Sequence, residues 1–343
     1  MDSFYKSLIK PLLFSLDPET AHEITVESGV AASFLRPIFK SFQSDFSESA
    51  AFSFKNLPFK NRIGLAAGFD KNARYYSLMQ QLGFGFLEIG SVTANESKGN
   101  SKPRLFRLPQ DEALINRMGL NNDGVTKIVN RLEEAKREIP FGVNIAKTHS
   151  PLIMGEYAIL DYVESFAASQ FTADYITINI SCPNTEEGKT FEDPETLNHL
   201  LGQINLVRKT DKPLLVKFSS DSDEILLKEL TDICLNHGID GFVCSNTSSK
   251  RSNLKTEIQE LTRIGKGGLS GKPIKSASIK NVERIRSFAP NSLLIGVGGI
   301  ASGEDGVDYL KAGADLIQVY SGLVYEGPSL VKNIQEKFIE YYK

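Results

Sequence analysis

A single cysteine occupies an unusual position in the segment TINISCPNTEEGK, residues 177–189. Cys182 lies between two asparagines and directly before a proline, where an apolar strand pattern ends. Most isolated cysteines are small buried hydrophobes. A thiol is also a weak acid, with an ordinary pKa of about 8.5, and it can exchange a proton with a bound substrate. The choice between packing and catalysis therefore depends on which other side chains converge there.

Lysines and asparagines follow or interrupt several other apolar segments. Lys217 lies between LLV and FSS, so strand alternation points it inward, where a buried ammonium needs an anionic partner such as a reduced flavin. Lys71 follows GLAAGFD and offers a second cation for a substrate carboxylate. Asparagine favours turns and is depleted inside strands, which makes Asn144 in VNIA and Asn179 in INIS unusual. Amide groups match the alternating C=O and N–H edge of a pyrimidine or flavin ring.

Glycines and small polar residues dominate the segment GVGGIASGEDGVDYLKAGADLIQVYSG, residues 296–322. A glycine pair lets the backbone approach a ligand, and N–H groups near a helix start bind phosphate. Sugar-phosphate isomerases and flavin enzymes share this kind of site. The segment therefore predicts a bound phosphate group and leaves its carrier open.

The composition excludes several classes of function. With 343 residues and a net charge of −3, the chain lacks the basic surface of a nucleic-acid-binding protein. Cys182, Cys234 and Cys244 are too few and too far apart for a disulfide framework or a CxxC metal site, and the four histidines form no HExxH motif. We therefore expect no metal. The sequence predicts neither a secretory signal nor a membrane-spanning helix.

Eight apolar runs rich in β-branched residues alternate with helical patterns. They are RIGLAAGF (62–69), FLEIGSV (86–92), FGVNIA (141–146), YITINIS (175–181), LLVKFS (214–219), GFVCSN (241–246), LLIGVGG (293–299) and LIQVYSG (316–322). Eight such units predict a (β/α)8 TIM barrel, with a doubly wound open sheet as the alternative. Polar side chains gather at the C-terminal strand ends, where a barrel has its active site, and this favours the barrel.

Eleven motifs in this order carry a resemblance to a known family. GLAAGFDKN, IGSVT, KPRLFRL, NRMGLNN, GVNIAK, NISCPNT, VKFS, SNTS, GGLSGKP, GVGGI and YSG resemble the motifs of dihydroorotate dehydrogenase, the FMN enzyme of pyrimidine synthesis. The stretch FYKSLIKPLLFSLDPETAHE further resembles the extension of the class 2 members, which are membrane-associated and reduce quinone. The resemblance implies oxidation of dihydroorotate to orotate in de novo UMP biosynthesis. It also implies one non-covalent FMN per chain as hydride acceptor and a membrane quinone as the final electron acceptor.

The resemblance assigns roles to individual residues. The positions that match FMN contacts are Ala67, Gly68, Lys71, Ser91, Asn144, Asn179, Lys217, Ser245, Gly271, Gly299, Tyr320 and Ser321. The positions that match dihydroorotate contacts are Lys71, Asn116, Arg117, Met118, Gly119, Leu120, Asn179, Asn184, Asn246 and Thr247. His22 and Arg104 are expected to supply polar contacts for the quinone head group.

Cys182 is the main departure from class 2. Members of that class have a serine as the base at this position, whereas the soluble class 1 enzymes have a cysteine in a motif similar to NISCPN. Oxidation of dihydroorotate removes a proton from C5 and a hydride from C6, and a thiol ionises more readily than a hydroxyl. We therefore expect Cys182 to be the catalytic base, and Cys244, like Cys234, to be packed in the core.

Two N-terminal segments have apolar residues at helical spacing, separated by Asp17 as a cap and Pro18 in a first helical turn. Their apolar residues are Phe4, Leu8 and Leu12, and then Ile24, Ala31 and Leu35. Such helices suit a membrane interface, and plain packing against the barrel is the alternative. We expect residues 1–45 to be a helical segment associated with membrane and quinone, and residues 46–343 to be the FMN-binding barrel. The expected location is the cytoplasmic side of the cell membrane, as a peripheral protein.

Two other functions compete with this prediction. A soluble class 1-like enzyme with fumarate or NAD as acceptor explains Cys182 but gives the N-terminal helices no role. A phosphate-binding barrel isomerase or aldolase without flavin explains the glycine turns but gives Lys217 and the asparagines no role.

Overall fold

The computed structural model describes residues 4–32, 51–181 and 191–343. The described strands are β1 (Phe52–Phe54), β2 (Leu57–Phe59), β3 (Ile63–Leu65), β4 (Phe86–Val92), β5 (Leu105–Leu108), β6 (Ala113–Asn116), β7 (Phe141–Ile145), β8 (Tyr175–Asn179), β9 (Leu214–Phe218), β10 (Gly241–Cys244), β11 (Gly268–Gly271), β12 (Leu293–Val297) and β13 (Leu316–Val319).

Eight of these strands close into a parallel barrel in the order β3, β4, β7, β8, β9, β10, β12 and β13, with β13 returning to β3. Each lies in one of the eight apolar runs, so the prediction of a TIM barrel is confirmed and the open sheet is wrong. Except for β4, the strands are shorter than the runs, because the last residues of the run turn into the loops of the barrel mouth. In the first run, for example, the strand ends at Leu65 and Gly68 has a φ of +99°.

Helices lie between the strands and at both ends of the chain. A π-helical turn, Tyr5–Ile9, leads into the α-helices α1 (Lys10–Phe14), α2 (Pro18–Ala32), α3 (Tyr76–Gln81), α4 (Val125–Glu134), α5 (Glu156–Ser169), α6 (Pro194–Val207), α7 (Glu224–Asn236), α8 (Ile258–Ile264), α9 (Lys275–Phe288), α10 (Gly303–Lys311), α11 (Ser321–Glu326) and α12 (Leu330–Tyr341). Asp193, Asp223 and Ser302 cap α6, α7 and α10 by accepting a backbone N–H. Cys234 and Cys244 are both buried, as expected.

Large apolar side chains fill the N-terminal end of the barrel. Phe59, Phe86, Tyr175 and Leu215 pack there, and the Phe59 and Phe86 rings meet at 5.4 Å. The antiparallel hairpin of β1 and β2 supplies Phe59 and joins this cluster. The polar side chains of the strands lie beyond this cluster, in the centre of the barrel and at its C-terminal end.

A second sheet, which the sequence analysis does not predict, lies outside the barrel order. Strands β5, β6 and β11 form it in antiparallel pairs, and Asn116 of β6 is opposite both Leu105 and Gly268. Five of its residues line the cavity at the barrel mouth, namely Leu105, Leu114, Asn116, Ser270 and Gly271.

The N-terminal helices have the expected boundary. Asp17 accepts hydrogen bonds from the N–H groups of Glu19 and Thr20, and α2 begins at Pro18. Leu35 and the domain boundary expected near residue 45 lie outside the described residues. None of the helices that the structure describes is long and apolar enough to cross a membrane.

Candidate active site

A polar cavity of about 170 Å³ lies at the C-terminal ends of the barrel strands. Among the positions matched to FMN, its lining contains Ala67, Gly68, Lys71, Ser91, Asn179, Lys217, Ser245, Gly271, Gly299, Tyr320 and Ser321. Among the positions matched to dihydroorotate, it contains Lys71, Asn116, Met118, Gly119, Leu120, Asn179, Asn246 and Thr247. The structure thus brings together residues that are up to 254 positions apart, from Ala67 to Ser321.

Four expected site residues are not in this lining. Asn144 lies behind it and accepts a hydrogen bond from Ser91 Oγ at 2.5 Å. Arg117 turns away, because its guanidinium donates to the backbone carbonyls of Ile264 and Lys266. Cys182 and Asn184 lie outside the described residues, so the structure gives no account of either.

Lys71 is presented by the loop that follows β3. The buried carboxylate of Asp70 shapes this loop by accepting N–H groups from Arg74 at 2.9 Å and Tyr75 at 2.7 Å. The Lys71 ammonium donates to the carbonyl of Gly68 at 2.7 Å. Burial lowers the pKa of Lys71 to about 8, against the negative charge of Glu19, which raises it. Most Lys71 side chains are therefore charged at neutral pH and can hold a carboxylate.

Lys217 is a buried cation in the middle of β9. Burial lowers its pKa, and the negative charge of Glu88 opposes that shift. Glu88 is the anionic side chain that the sequence analysis left unidentified. It lies within β4 and is fully buried. A carboxylate inside the apolar run FLEIGSV was the available signal, because charged residues are rarely buried without a partner.

Amide groups meet next to the end of β8. Asn246 Nδ2 donates to Asn179 Oδ1 at 3.2 Å and to Ser181 Oγ at 2.9 Å. Ser181 Oγ in turn donates to Asn179 Oδ1 at 3.2 Å. The residue that directly precedes Cys182 in the sequence is therefore held at the cavity by two asparagines.

The turn after β12, which the sequence analysis expects to bind a phosphate group, is packed so closely that it requires glycine. Gly299 has a φ of +67°, and a Cβ at this position would lie 2.8 Å from Lys275 Cβ and 2.9 Å from the Gly271 carbonyl oxygen. Helix α11 begins nearby at Ser321. The first N–H groups of a helix have no partner within the helix, so they are available to an anionic ligand.

A second cavity, of about 290 Å³, lies between the N-terminal helices and the barrel. Its lining is mostly apolar and includes His22 and Arg107 as polar members. Burial and the charge of Lys71 together lower the pKa of His22 to about 4, so His22 is neutral at physiological pH. Leu105, Leu114 and Tyr320 line both cavities and form a shared wall.

Arg104, expected at a quinone site, does not line this second cavity. Its guanidinium forms a two-point ion pair with Glu19 of α2, with Nε to Oε2 at 3.1 Å and Nη2 to Oε1 at 2.6 Å. Its Nη1 donates to two backbone carbonyls. Arg107, which the sequence analysis did not single out, lies in the lining and donates to the carbonyl of Leu16 at 2.8 Å.

Comparison with known proteins gives the family of the chain. A family model described as dihydroorotate dehydrogenase matches residues 49–341. The chain belongs to the dihydroorotate dehydrogenase family. This membership makes it an oxidoreductase and removes the isomerase or aldolase alternative.

Relatives of known name match the chain along nearly its whole length. A protein of Christiangramia forsetii named dihydroorotate dehydrogenase (quinone) is 40% identical over 349 residues, which cover 98% of this chain and 99% of the relative. A protein of Polaromonas naphthalenivorans with the same name is 40% identical and covers 95% of both chains. The crystal structure of DHODH from Eimeria tenella in complex with ferulenol has a TM-score of 0.82 and 29% identity, and the match covers 95% of this chain and 91% of that one.

Proposed function

We propose that this member of the dihydroorotate dehydrogenase family oxidises dihydroorotate to orotate in de novo pyrimidine biosynthesis. FMN, bound without a covalent bond, is the proposed hydride acceptor, and a membrane quinone is the proposed final acceptor. The observation that carries the proposal is a pair of cavities with a shared wall, of which the first has lysines and asparagines in its lining and the second is almost wholly apolar. The polar cavity suits a charged heterocycle, and the apolar cavity suits a lipid-soluble acceptor.

The residues of the polar cavity fit FMN. Gln318 lines the cavity, and its Oε1 is buried without a hydrogen-bond partner among the described residues. A ligand N–H group would satisfy this acceptor. Lys217 supplies the positive charge that a reduced flavin requires. The backbone at Gly299 and Ser321 would hold the phosphate.

The chain's own residues would bind the substrate and remove its proton. Lys71 would hold the carboxylate of dihydroorotate, and Asn179 and Asn246 would bind the C=O and N–H edge of its ring. Cys182, directly after the fixed Ser181, would accept the C5 proton. FMN, when bound, supplies the acceptor for the hydride from C6. The asparagines on several strands would hold the ring in one orientation between base and flavin, which is how a site of this kind lowers the barrier.

The N-terminal helices support the quinone and the membrane as partners. Phe4, Leu8 and Leu12 expose 59%, 60% and 68% of their surface. The adjacent face of the same segment contributes Tyr5, Ile9 and Leu13 to the apolar cavity. A segment with one apolar face outside and another around a cavity suits attachment to a bilayer surface, from which a quinone can enter. We place the protein at the cytoplasmic side of the cell membrane, with residues 1–45 as the attachment segment and residues 46–343 as the barrel.

The two half-reactions test this function. The purified protein should show the absorption bands of FMN, and dihydroorotate should bleach them under anaerobic conditions. A quinone with a long apolar tail should then restore the bands much faster than fumarate or NAD. Rapid reoxidation by fumarate or NAD together with slow reoxidation by quinone would favour the class 1-like alternative.

The base is tested by substitution of Cys182. Cys182→Ala should retain FMN but lose most of the flavin reduction by dihydroorotate, because no group then accepts the C5 proton. Cys182→Ser should retain a fraction of the activity, with its pH profile displaced upward because a hydroxyl ionises less readily. Cys234→Ala is the control, since this buried thiol lies in helix α7. Undiminished flavin reduction in Cys182→Ala would contradict the assigned role.

A further inference from the structure

A fully buried carboxylate at the centre of the barrel has no role in the function described above. Glu88 accepts hydrogen bonds from Asn144 Nδ2 at 2.8 Å and Gln318 Nε2 at 2.8 Å. Thr177 Oγ1 at 3.2 Å and the Tyr175 hydroxyl at 3.4 Å are further donors. The bond to Asn144 uses Oε1, and the other three use Oε2. An ionised carboxylate only accepts hydrogen bonds, so every one of these partners is forced to donate.

The bond to Asn144 fixes the direction of a longer series of hydrogen bonds. Since Asn144 Nδ2 points to Glu88, its Oδ1 faces Ser91 and accepts the Ser91 hydroxyl at 2.5 Å. Ser91 Oγ is then left to accept from Asn179 Nδ2 at 3.1 Å. Asn179 Oδ1 in turn accepts from Asn246 Nδ2 at 3.2 Å. Asn246 also has backbone partners of its own, because its Nδ2 donates to the Ser181 carbonyl at 3.1 Å and its Oδ1 accepts the Thr247 N–H at 2.8 Å. Glu88 therefore sets the direction at Asn144 and Ser91, and this direction agrees with the one that the backbone sets at Asn246.

The end of this series is the ligand cavity. Ser91, Asn179 and Asn246 line it, whereas Glu88 and Asn144 lie behind it. Because an amide can present either its oxygen or its nitrogen, Asn144 could offer Ser91 two opposite patterns, as the acceptor of its hydroxyl or as a donor to it. A glutamine at position 88 would permit both patterns, since it can donate or accept at the same place. A carboxylate permits one.

We propose that Glu88 is a positioning residue that fixes the amide orientation of Asn144 and, through it, the direction of the Ser91 hydroxyl, and thereby holds the Ser91–Asn179 part of the cavity lining in one pattern of donors and acceptors toward the bound ligands. This inference rests on the proposed FMN and orotate site. Glu88 touches neither ligand; it acts through Asn144 and Ser91. The arrangement also places a negative charge near Lys217.

Glu88→Gln is the direct test. Its amide can present either Oε1 or Nε2 to Asn144, so Asn144 is no longer held in one orientation and the Ser91 hydroxyl loses its fixed acceptor. We expect FMN to remain bound and the affinity for orotate, titrated by its effect on the flavin absorption bands, to fall by about tenfold to a hundredfold. Thr177→Val is the matched control. It removes one donor to the same buried carboxylate, but Thr177 is outside the series, so the expected change is within about threefold.

A double variant distinguishes orientation from general damage to the core. In Glu88→Gln with Asn144→Asp, the carboxylate at 144 accepts from the new amide at 88 and still accepts the Ser91 hydroxyl. The series from Ser91 onward keeps its direction, so orotate affinity should return to within about threefold of the parent. This variant is informative even if Glu88→Gln alone does not fold.

The outcomes separate this inference from the proposed function. Weak orotate binding in Glu88→Gln with recovery in the double variant would support the positioning role. Equal orotate affinity in Glu88→Gln and Thr177→Val, or a double variant as weak as the single one, would overturn it while the function stands. A parent protein that binds neither FMN nor orotate would overturn both.

Discussion

Lys217 and Glu88 are opposite charges buried in the same barrel interior. Removal of one buried charge leaves the other without compensation, which costs about 3–5 kcal/mol in well-studied cases. The proposed flavin adds a second reason for a cation there, because a reduced flavin is anionic. We therefore expect the charge of Lys217 to contribute both to the stability of the barrel interior and to the binding of FMN.

Lys217→Ala should weaken FMN retention by about a hundredfold, because a positive charge near the ring is lost and the Glu88 charge is no longer compensated. FMN release after gel filtration, followed by absorbance, measures the effect. Lys311→Ala, which removes an exposed lysine in α10, is the control and should retain FMN fully. Parent-like flavin occupancy and flavin reduction in Lys217→Ala would contradict the assigned role.

Glu192 is a carboxylate that titrates near neutral pH. Burial and the charge of Asp221 raise its pKa to about 7, although the N–H of Ser219 donates to it at 2.6 Å and opposes the rise. A raised pKa means that the folded state binds the proton more tightly than the unfolded state. The free energy of unfolding should therefore fall as pH rises from about 4.5 to about 7.

Glu192→Gln should remove this pH dependence. The expected gain at pH 8 is about 1–2 kcal/mol, less than the full shift would give, because the side chain is only partly buried. Urea unfolding of parent and variant at pH 5 and pH 8 measures it. Glu195→Gln, an exposed residue in the first turn of α6, should leave the pH profile of the parent unchanged. If Glu192→Gln and the parent lose the same stability between the two pH values, Glu192 is not the group responsible.

At the scale of elements, helix α2 is fixed to the barrel by an ion pair. Glu19 and Arg104 are both buried, and they are separated by 85 positions in sequence. Burial raises the pKa of Glu19, but the hydrogen bond and charge of Arg104 outweigh it and hold the pKa below its ordinary value of 4.5. The pair therefore stabilises the protein above pH 4.5 and loses this contribution as pH falls through the lowered pKa.

Glu19→Gln should lower the free energy of unfolding by about 2–4 kcal/mol at pH 7, because Arg104 remains buried without its counter-charge. Thermal unfolding at pH 7 and at pH 3 measures the loss, which should be smaller at the lower pH. Glu23→Gln, at an exposed position on the same helix, is the control and should change stability by less than about 0.5 kcal/mol. Equal stability of the two variants at pH 7 would show that the pair does not hold α2 in place.

The elements differ in how well the sequence predicts them. The eight barrel strands are apolar on both faces and are separated by amphipathic helices, so local periodicity is enough to find them. The sheet of β5, β6 and β11 is not predictable in this way, because β11 pairs with a strand about 150 residues earlier. The same reason hides the Glu19–Arg104 pair and the bonds from Glu88. Their residue types are visible in the sequence, but the partner is chosen by the packing of the whole chain.

At the scale of the whole molecule, exposed apolar residues occur at several places, and the N-terminal segment carries one group of them. Phe4, Leu8 and Leu12 are at least 59% exposed. Leu206 and Ile225 are exposed to a similar degree, at 77% and 84%, but each lies on a separate barrel helix. Leu206 and Ile225 can therefore serve as controls, because they are as apolar and as exposed as the residues of the proposed attachment face but lie elsewhere on the surface.

The triple variant Phe4→Ser, Leu8→Ser and Leu12→Ser should reduce binding to phosphatidylcholine vesicles by at least about a hundredfold, since each residue would contribute about 1–2 kcal/mol on entering the bilayer. Cosedimentation measures the bound fraction. Oxidation of dihydroorotate with a water-soluble dye should be unchanged. The double variant Leu206→Ser and Ile225→Ser should bind vesicles as the parent does. Equal binding by both variants would contradict attachment through the N-terminal segment.

The wall of Leu105, Leu114 and Tyr320 bears on how such a protein can diverge. Within the described residues, only these three side chains line both cavities. None of the three lies in the N-terminal helices, so a substitution in those helices changes the apolar cavity and leaves the residues that line the polar one as they were. Selection for binding of the electron acceptor and selection for binding of the electron donor would thus act on almost separate sets of positions. A lineage that meets a new lipid-soluble oxidant can adapt its N-terminus by drift and selection while the older chemistry is inherited intact.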